Sequence, residues 1–344
     1  MDKTTYLRTK LALFISIISI GLLLSCSKDD NNNPDPDPIV EPLNDNSLPS
    51  AAILNIGVVE KTDDHVKFRM DLAVFRDSKN VEDNLKATNF IIDSLSIHGY
   101  TSLFNNDYTQ LVNGSNTGDY AALMLLDQSG SISGTDPENY RLDAAKIFCS
   151  NLGTNNLVGL WSFAYSNYKQ LVDFTTDTSK IIQEIEKLRD QEGGSTPLYK
   201  SQYEGVTYAK DKASKPNKAV LTFTDGEDTE YGLSAEDVVN HAKNQGVKLY
   251  NIGLGDVSSE SLLKQAVATN GGFMYAKDAR QLISIFGNLG KLLTNTAIYY
   301  QTEWTIKSKG NDKIFSGQGE IAHELKITFP YGGEITVPFS FDYE

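Results

Sequence analysis

The most constraining feature of the sequence is an apolar run that ends abruptly in an acid and two serines. A continuously apolar stretch, Leu123 to Leu126, indicates a strand covered on both faces. The loop that follows it is Asp127-Gln128-Ser129-Gly130-Ser131, in which Gly130 permits a sharp turn. One carboxylate and two hydroxyls therefore come together as oxygen ligands for a hard cation such as Mg²⁺ or Ca²⁺. A simple polar turn after a strand is the alternative interpretation.

Two later loops carry similar chemistry within a stretch that alternates short apolar runs with helical patterns. This alternation, over residues 117–296, is typical of a doubly wound, mostly parallel sheet flanked by helices, so we predict an α/β fold. The second loop is Gly193-Gly194-Ser195-Thr196-Pro197, where Thr196 would otherwise serve only as a helix cap. The third is Thr224-Asp225-Gly226-Glu227, at the end of a predicted strand. Ligands of open α/β sheets gather beyond the carboxyl ends of strands, where both acids fall.

In this order, Asp-x-Ser-x-Ser, Gly-Gly-Ser-Thr-Pro and Thr-Asp-Gly-Glu resemble the motifs of the von Willebrand factor A (vWA) domain. The resemblance implies a metal-ion-dependent adhesion site formed by Asp127, Ser129, Ser131, Thr196 and Asp225. Ser195 stays open as the alternative to Thr196. The resemblance also implies a divalent cation, with Mg²⁺ as the first choice and Ca²⁺ or Mn²⁺ open. That cation would take an Asp or Glu side chain from a partner protein.

The two flanks of this stretch show the period-two alternation of half-buried strands. Apolar and polar residues alternate over residues 66–74, and again over residues 321–329 and 335–341. Residues 90–97 are predicted as a further strand. We predict that residues 51–116 and 297–344 form the two halves of one β-sandwich into which the vWA domain is inserted. Phe68 should then meet Leu325 or Phe339. A separate small sheet on each side is the alternative, but it would leave many strand edges exposed.

The N-terminal residues predict export and lipid attachment. A basic start precedes the apolar run Leu11 to Leu24, which is typical of a signal peptide and too short to span a bilayer. The run ends in Leu23-Leu24-Ser25-Cys26, which resembles a bacterial lipobox and implies that Cys26 is diacylated. Residues 27–50 are rich in Asp, Asn and Pro, which predicts a disordered tether. Lys28-Asp29-Asp30 resembles the export signal of Bacteroidetes lipoproteins on the outer face of the outer membrane.

The net charge, the cysteines and the histidines argue against several classes of partner and site. The chain of 344 residues has a net charge of −14 and no dense basic patch, which argues against a nucleic-acid partner. Its cysteines are Cys26, at the end of the leader, and Cys149, in a predicted helix, so no structural disulfide is expected. The histidines do not follow a zinc-binding spacing, and the alternation around His323 predicts a core or interface position.

The motifs favour binding over catalysis. The sequence has no Gly-x-Ser-x-Gly elbow and no Walker loop, so we expect a protein that is not an enzyme. The predicted function is that of a surface lipoprotein that binds a protein or another acidic ligand through its metal. The alternative is an accessory subunit of an envelope enzyme or of a chelatase-like ATPase assembly. The predicted organisation is a leader (1–26), a tether (27–50), the first sandwich half (51–116), the vWA domain (117–296) and the second sandwich half (297–344).

Overall fold

The computed structural model describes residues 48–255, 257 and 259–344. The predicted leader, Cys26 and the tether up to residue 47 lie outside these residues. In the described part the strands are β1 (Ser50–Lys61), β2 (His65–Phe75), β3 (Phe90–Ile91), β4 (Leu95–Ile97), β5 (Tyr100–Val112), β6 (Tyr120–Asp127), β7 (Leu157–Ala164), β8 (Asn167–Thr175), β9 (Asn217–Thr224), β10 (Lys248–Leu254), β11 (Gly272–Ala276), β12 (Tyr299–Ser308), β13 (Gly319–Thr328) and β14 (Glu334–Tyr343).

The α-helices of the same part lie between the strands of the central region. They are α1 (Ile132–Thr135), α2 (Tyr140–Ser150), α3 (Thr178–Glu186), α4 (Leu198–Lys212), α5 (Ala235–Gln245), α6 (Ser259–Ala268) and α7 (Gln281–Leu293). The signals for α5 are local: Ser234 caps its first turn in a capping box with Asp237, and Gly246 ends it in the left-handed conformation. Among the described residues, no helix has both the length and the apolarity needed to cross a bilayer.

The strands of the central region form one half of a large mixed sheet. Its order is β4-β5-β12-β2-β1-β11-β10-β9-β6-β7-β8. From β11 to β7 the neighbours pair in parallel, and β8 closes that side as an antiparallel strand. Alternate residues of β6 pack into opposite layers, with Leu123 and Leu125 on one face and Met124 and Leu126 on the other. This two-sided burial explains the continuous apolar run and confirms the predicted α/β fold.

The two sequence flanks meet in the other half of the sheet and in a second sheet. In the large sheet β1, β2, β5 and β12 pair antiparallel, and a second sheet has the order β14-β13-β3. Phe68 of β2 stacks on Phe339 at 5.8 Å and on Phe341 at 4.6 Å between ring centroids. The predicted contact between the flanks is therefore present. The ring of His323 lies 5.5 Å from that of Phe104 and its Nε2 contacts the carbonyl of Asp93 at 2.9 Å.

The junction between the sandwich and the central region was not predicted. Strand β1 pairs antiparallel with β11, at Ala52 with Met274 and at Ile53 with Phe273. The sandwich sheet and the parallel sheet are consequently one continuous sheet rather than two separate layers. No local pattern in the sequence announces a pairing between residues more than 200 positions apart.

Two predicted details of the first flank are wrong. Residues 90–97 do not form one strand, because Phe90–Ile91 pairs with β13 of the second sheet and Leu95–Ile97 pairs with β5 of the large one. Phe90 and Ile92 are both buried as the chain crosses between the sheets. Strand β5 was missed, although it spans 13 residues, because Asn105-Asn106-Asp107 in its interior is typical of a turn.

The predicted tether also extended too far. The carbonyl of Leu48 accepts a hydrogen bond from Ser284 Oγ at 2.7 Å, and that of Pro49 accepts one from Gln281 Nε2 at 2.8 Å. Ser50, which begins β1, is fully buried. Residues 48–50 therefore belong to the folded part, where they hold helix α7.

Candidate metal centre

The two acids of the predicted site lie on neighbouring strands. Strands β6 and β9 pair in parallel, with Leu126 opposite Phe223, so their carboxyl ends reach the same edge of the sheet. Asp127 is the last residue of β6, and Asp225 directly follows β9. Both side chains are at least nine-tenths buried, since their residues are 0% and 7% exposed.

Asp127 is held by two donors and lies in a setting that disfavours its charge. Its Oδ1 accepts a hydrogen bond from the backbone N–H of Ser129, and its Oδ2 accepts one from Thr224 Oγ1, both at 2.7 Å. Burial, together with the nearby Asp225, raises the pKa of the Asp127 carboxyl to about 6, despite these donors. A cation at this position would favour the ionised form.

Hydroxyl groups join the first loop to the third. Ser131 Oγ donates to Asp225 Oδ1 at 2.7 Å, and the hydroxyls of Ser129 and Ser131 lie 3.2 Å apart. Thr135, on the short helix α1, donates its hydroxyl to Asp225 Oδ2. Sequence reasoning missed Thr135, because nothing in its pattern distinguishes it from an ordinary surface residue.

Thr196 and Ser195 point to different groups. A methyl group at Gly226 would lie 3.8 Å from Ser131 Oγ and 3.9 Å from Thr196 Oγ1, so both hydroxyls border the third loop. The hydroxyl of Ser195 donates instead to Glu230 Oε1 at 2.7 Å. The structure thus places the Thr196 hydroxyl beside the third loop, which the Ser131 hydroxyl also borders, and engages Ser195 elsewhere.

The first two loops are joined through their backbones. Gly130 N–H donates to the carbonyl of Gly194 at 3.1 Å, and Gly193 N–H donates to the carbonyl of Gln128 at 2.8 Å. Gly194 has a φ of +75°, and a methyl group there would lie 2.3 Å from the ring of Tyr165. Glycine is therefore required where Tyr165 covers this loop.

A fully buried arginine, Arg141, contacts residues in the first loop and beside the second. Sequence reasoning did not find it. Arg141 is 0% exposed and forms an ion pair with Asp136, which is 1% exposed, at 3.1 Å. Its guanidinium also donates to Gln128 Oε1 at 3.2 Å and to the carboxylate of Glu192. Since Gln128 lies in the first loop and Glu192 precedes the second, Arg141 connects both to helix α2.

The donor set fits a hard divalent cation. All five side chains offer oxygen, and their two carboxylates balance the charge of such an ion. Among the described residues, no group of three or more His, Cys, Asp and Glu side chains is placed to hold a metal. Hydroxyl oxygens would therefore have to complete any coordination at this edge of the sheet.

Comparison with known families assigns the three loops to one domain. The model of the von Willebrand factor type A domain matches residues 123–288, which contain all five predicted residues. The chain contains a vWA domain. No curated protein matches the sequence significantly. The vWA domain thus ends before β12, and the sandwich strands lie outside the match.

Solved structures that are similar to this chain share little sequence with it. Proximal thread matrix protein 1 of the mussel byssus, whose adhesion motif is occupied by zinc, is 17% identical over 58% of this chain and 50% of its own, with a TM-score of 0.44. The pilus adhesin SpaC of Lactobacillus rhamnosus GG is 12% identical over 84% and 48%, with a TM-score of 0.43. An aerotolerance-related membrane protein of Bacteroides fragilis is 15% identical over 51% and 98%, with a TM-score of 0.41. This chain spans about half the length of the first two.

Proposed function

We propose that this protein is a cell-surface lipoprotein whose vWA domain binds a partner protein through a divalent cation. The observation that carries the proposal is the hydrogen bond of 2.7 Å from Ser131 Oγ to Asp225 Oδ1, which joins loops 94 residues apart beside the buried Asp127. The cation would be held by Asp127, Ser129, Ser131, Thr196 and Asp225. When bound, it supplies an electrophilic centre for an anionic oxygen.

The charge of the donor set favours an acidic ligand. Only two of the five side chains are carboxylates, so a bound divalent cation keeps an affinity for one more anionic oxygen. A partner's Asp or Glu side chain has that chemistry. We propose Mg²⁺ as the ion, with Ca²⁺ and Mn²⁺ as alternatives.

We also propose that the protein is not an enzyme. The Ser131 hydroxyl donates to the carboxylate of Asp225. A bound cation would neutralise the charge of the carboxylates at this centre. Those carboxylates would then be poor general bases, and a nucleophile needs such a base. The serines of this centre are therefore suited to ligation rather than to attack.

The proposed location rests on the N-terminal segment Leu23-Leu24-Ser25-Cys26, which resembles a lipobox. Cys26→Ser should release the protein from the membrane fraction or block its maturation, because two or three acyl chains are needed for a stable anchor. Fractionation with immunoblotting checks this. Recovery of the variant in membranes at the wild-type level, with unchanged mobility, would contradict lipidation.

The binding proposal is tested with the full-length chain in mild detergent. Calorimetry measures the affinity for Mg²⁺, and fluorescence anisotropy measures binding of a labelled peptide that has a single Asp. Asp225→Asn should weaken Mg²⁺ binding by about 100-fold or more, since even residues behind metal ligands are worth 10–100-fold, and should abolish peptide binding.

The matched control is Glu227→Gln, which removes a charge from the same loop at an exposed position. It should leave both affinities near the wild-type values. Equal Mg²⁺ affinity in the wild type and Asp225→Asn would show that the metal centre is misplaced. Intact Mg²⁺ binding without any metal-dependent peptide binding would instead refute the acidic ligand.

A further inference from the structure

A cleft of about 380 Å³ opens beside the first loop of the proposed metal centre. Its walls are the hairpin of β7 and β8, the segment from Lys187 to Gln191, and Gln128. None of the five proposed metal ligands lines it. Its volume falls within the range of roughly 300–1,000 Å³ that is usual for ligand sites in proteins.

The charged residues that line the cleft are both basic. Lys169 and Lys187 lie in its walls without any Asp or Glu, although the chain has 45 acidic and 31 basic residues. Lys187 pairs with Glu184 at 2.7 Å, outside the lining, and Lys169 takes part in no ion pair within the part of the chain that the structure describes. A cleft lined by two lysines and by no acid, on a protein this acidic, favours an anionic ligand.

Gln128 adds a buried amide to the wall. The residue is 4% exposed, and its Oε1 is committed to Arg141 Nη2 at 3.2 Å. Its Nε2 has no hydrogen-bond partner among the described residues. Because a buried donor without an acceptor is unfavourable, this amide is suited to an oxygen that a ligand supplies.

The cleft and the metal centre share a wall. Gln128 lies between Asp127 and Ser129 in the chain, and consecutive Cα atoms are about 3.8 Å apart. Tyr165, which also lines the cleft, covers the second loop at Gly194. An extended peptide advances about 3.3 Å per residue, so a few residues would carry it from the cation to the cleft.

We propose that this cleft is a second acid-binding subsite, which takes another carboxylate of the partner segment whose first acid binds the cation. The inference rests on the proposed function and specifies its ligand as an extended peptide with two acidic residues a few positions apart. Lys169 and Lys187 attract the second carboxylate, and Gln128 offers it a hydrogen bond.

The test compares labelled peptides with one Asp and with two Asp separated by one to five Gly or Ser residues. Anisotropy is measured with the full-length chain in detergent, with Mg²⁺ and with EDTA. At the best spacing, the second Asp should tighten Mg²⁺-dependent binding about two- to fivefold, as expected for an exposed charge pair. Lys169→Gln with Lys187→Gln should remove this gain and leave the single-Asp peptide and Mg²⁺ affinity unchanged. Lys180→Gln with Lys210→Gln is the control.

Carbodiimide coupling followed by mass spectrometry gives an independent positional readout. The two-Asp peptide should be cross-linked to Lys169 or Lys187 in the wild type. Equal affinities for one and two Asp at every spacing, while Mg²⁺-dependent binding of the single-Asp peptide persists, would overturn the subsite and leave the proposed function standing. Loss of binding for both peptides in Mg²⁺ would overturn both.

Discussion

The five residues at the metal centre differ in what each would contribute. Asp127 and Asp225 supply charge, whereas Thr196 supplies a neutral oxygen that water can replace. We therefore expect Thr196→Ala to weaken Mg²⁺ binding about tenfold or less, well below the loss in Asp225→Asn. Ser195→Ala should leave the affinity unchanged, since the Ser195 hydroxyl serves Glu230. Calorimetry on both variants decides the choice between the neighbours, and a larger loss in Ser195→Ala would reverse it.

Arg141 supports the centre without touching its proposed ligands. Arg141→Met would leave Asp136 buried without a counter-charge, and breaking a buried pair in this way costs about 3–5 kcal/mol. Urea denaturation should show this loss. Arg189→Met is the control. The Arg189 side chain is 33% exposed and pairs with Glu186 and Asp143, so its replacement should lower the free energy of unfolding by about 1 kcal/mol or less. Similar losses in both variants would remove the special role of Arg141.

At the level of elements, helix α7 is held by chain segments that precede the vWA domain. Asn288 Nδ2 donates to the carbonyl of Asp77 at 2.8 Å, in addition to the bonds from Ser284 and Gln281 to Leu48 and Pro49. The helix leads within a few residues into β12 of the sandwich. It therefore ties the vWA domain to both sequence flanks.

Two glycines of α7 test this packing. A methyl group at Gly287 would lie 2.3 Å from the carbonyl oxygen of Ser78, so Gly287→Ala should destabilise the protein by about 1–3 kcal/mol. At Gly290 the nearest such atom is Tyr120 Oη at 3.6 Å, an ordinary contact. Gly290→Ala should therefore stabilise by up to about 1 kcal/mol through helix propensity. Urea denaturation gives the free energies of unfolding. Stabilisation by Gly287→Ala would mean that the loop around Ser78 is not packed on α7.

For the whole molecule, the continuous sheet predicts that the sandwich and the vWA domain unfold together. Trp161 lies in β7 and Trp304 in β12, and both are buried. Trp161→Phe and Trp304→Phe each leave a single reporter. In each variant the fluorescence transition in urea should coincide with that of far-UV circular dichroism, because separate unfolding would break the pairing of β1 with β11. Two distinct midpoints would show independent domains.

Features that depend on neighbouring residues were determined by the sequence itself. The acid that ends an apolar run at Asp127, the cap and stop of α5, and the alternation around Phe68 each report a local preference or a one-sided burial. They were sufficient to predict the α/β fold and the half-buried strand around Phe68. The prediction that Phe68 meets Leu325 or Phe339 also needed the inference that the two flanks share one sandwich, and the structure shows the contact with Phe339. The local features also supplied Ser131, which the structure places against Asp225, but not Thr135, which donates to the same carboxylate.

Only the tertiary structure decided which distant segments meet. The pairing of β1 with β11, the extended conformation of Asn105-Asn106-Asp107 in β5, and the buried contacts of Arg141 all depend on partners supplied by other elements. Strand formation is governed by cross-strand packing more than by the backbone preference of the residues. A buried charge is stable only beside the particular groups that compensate it. Those partners are selected by packing of the whole chain, and local sequence contains no record of them.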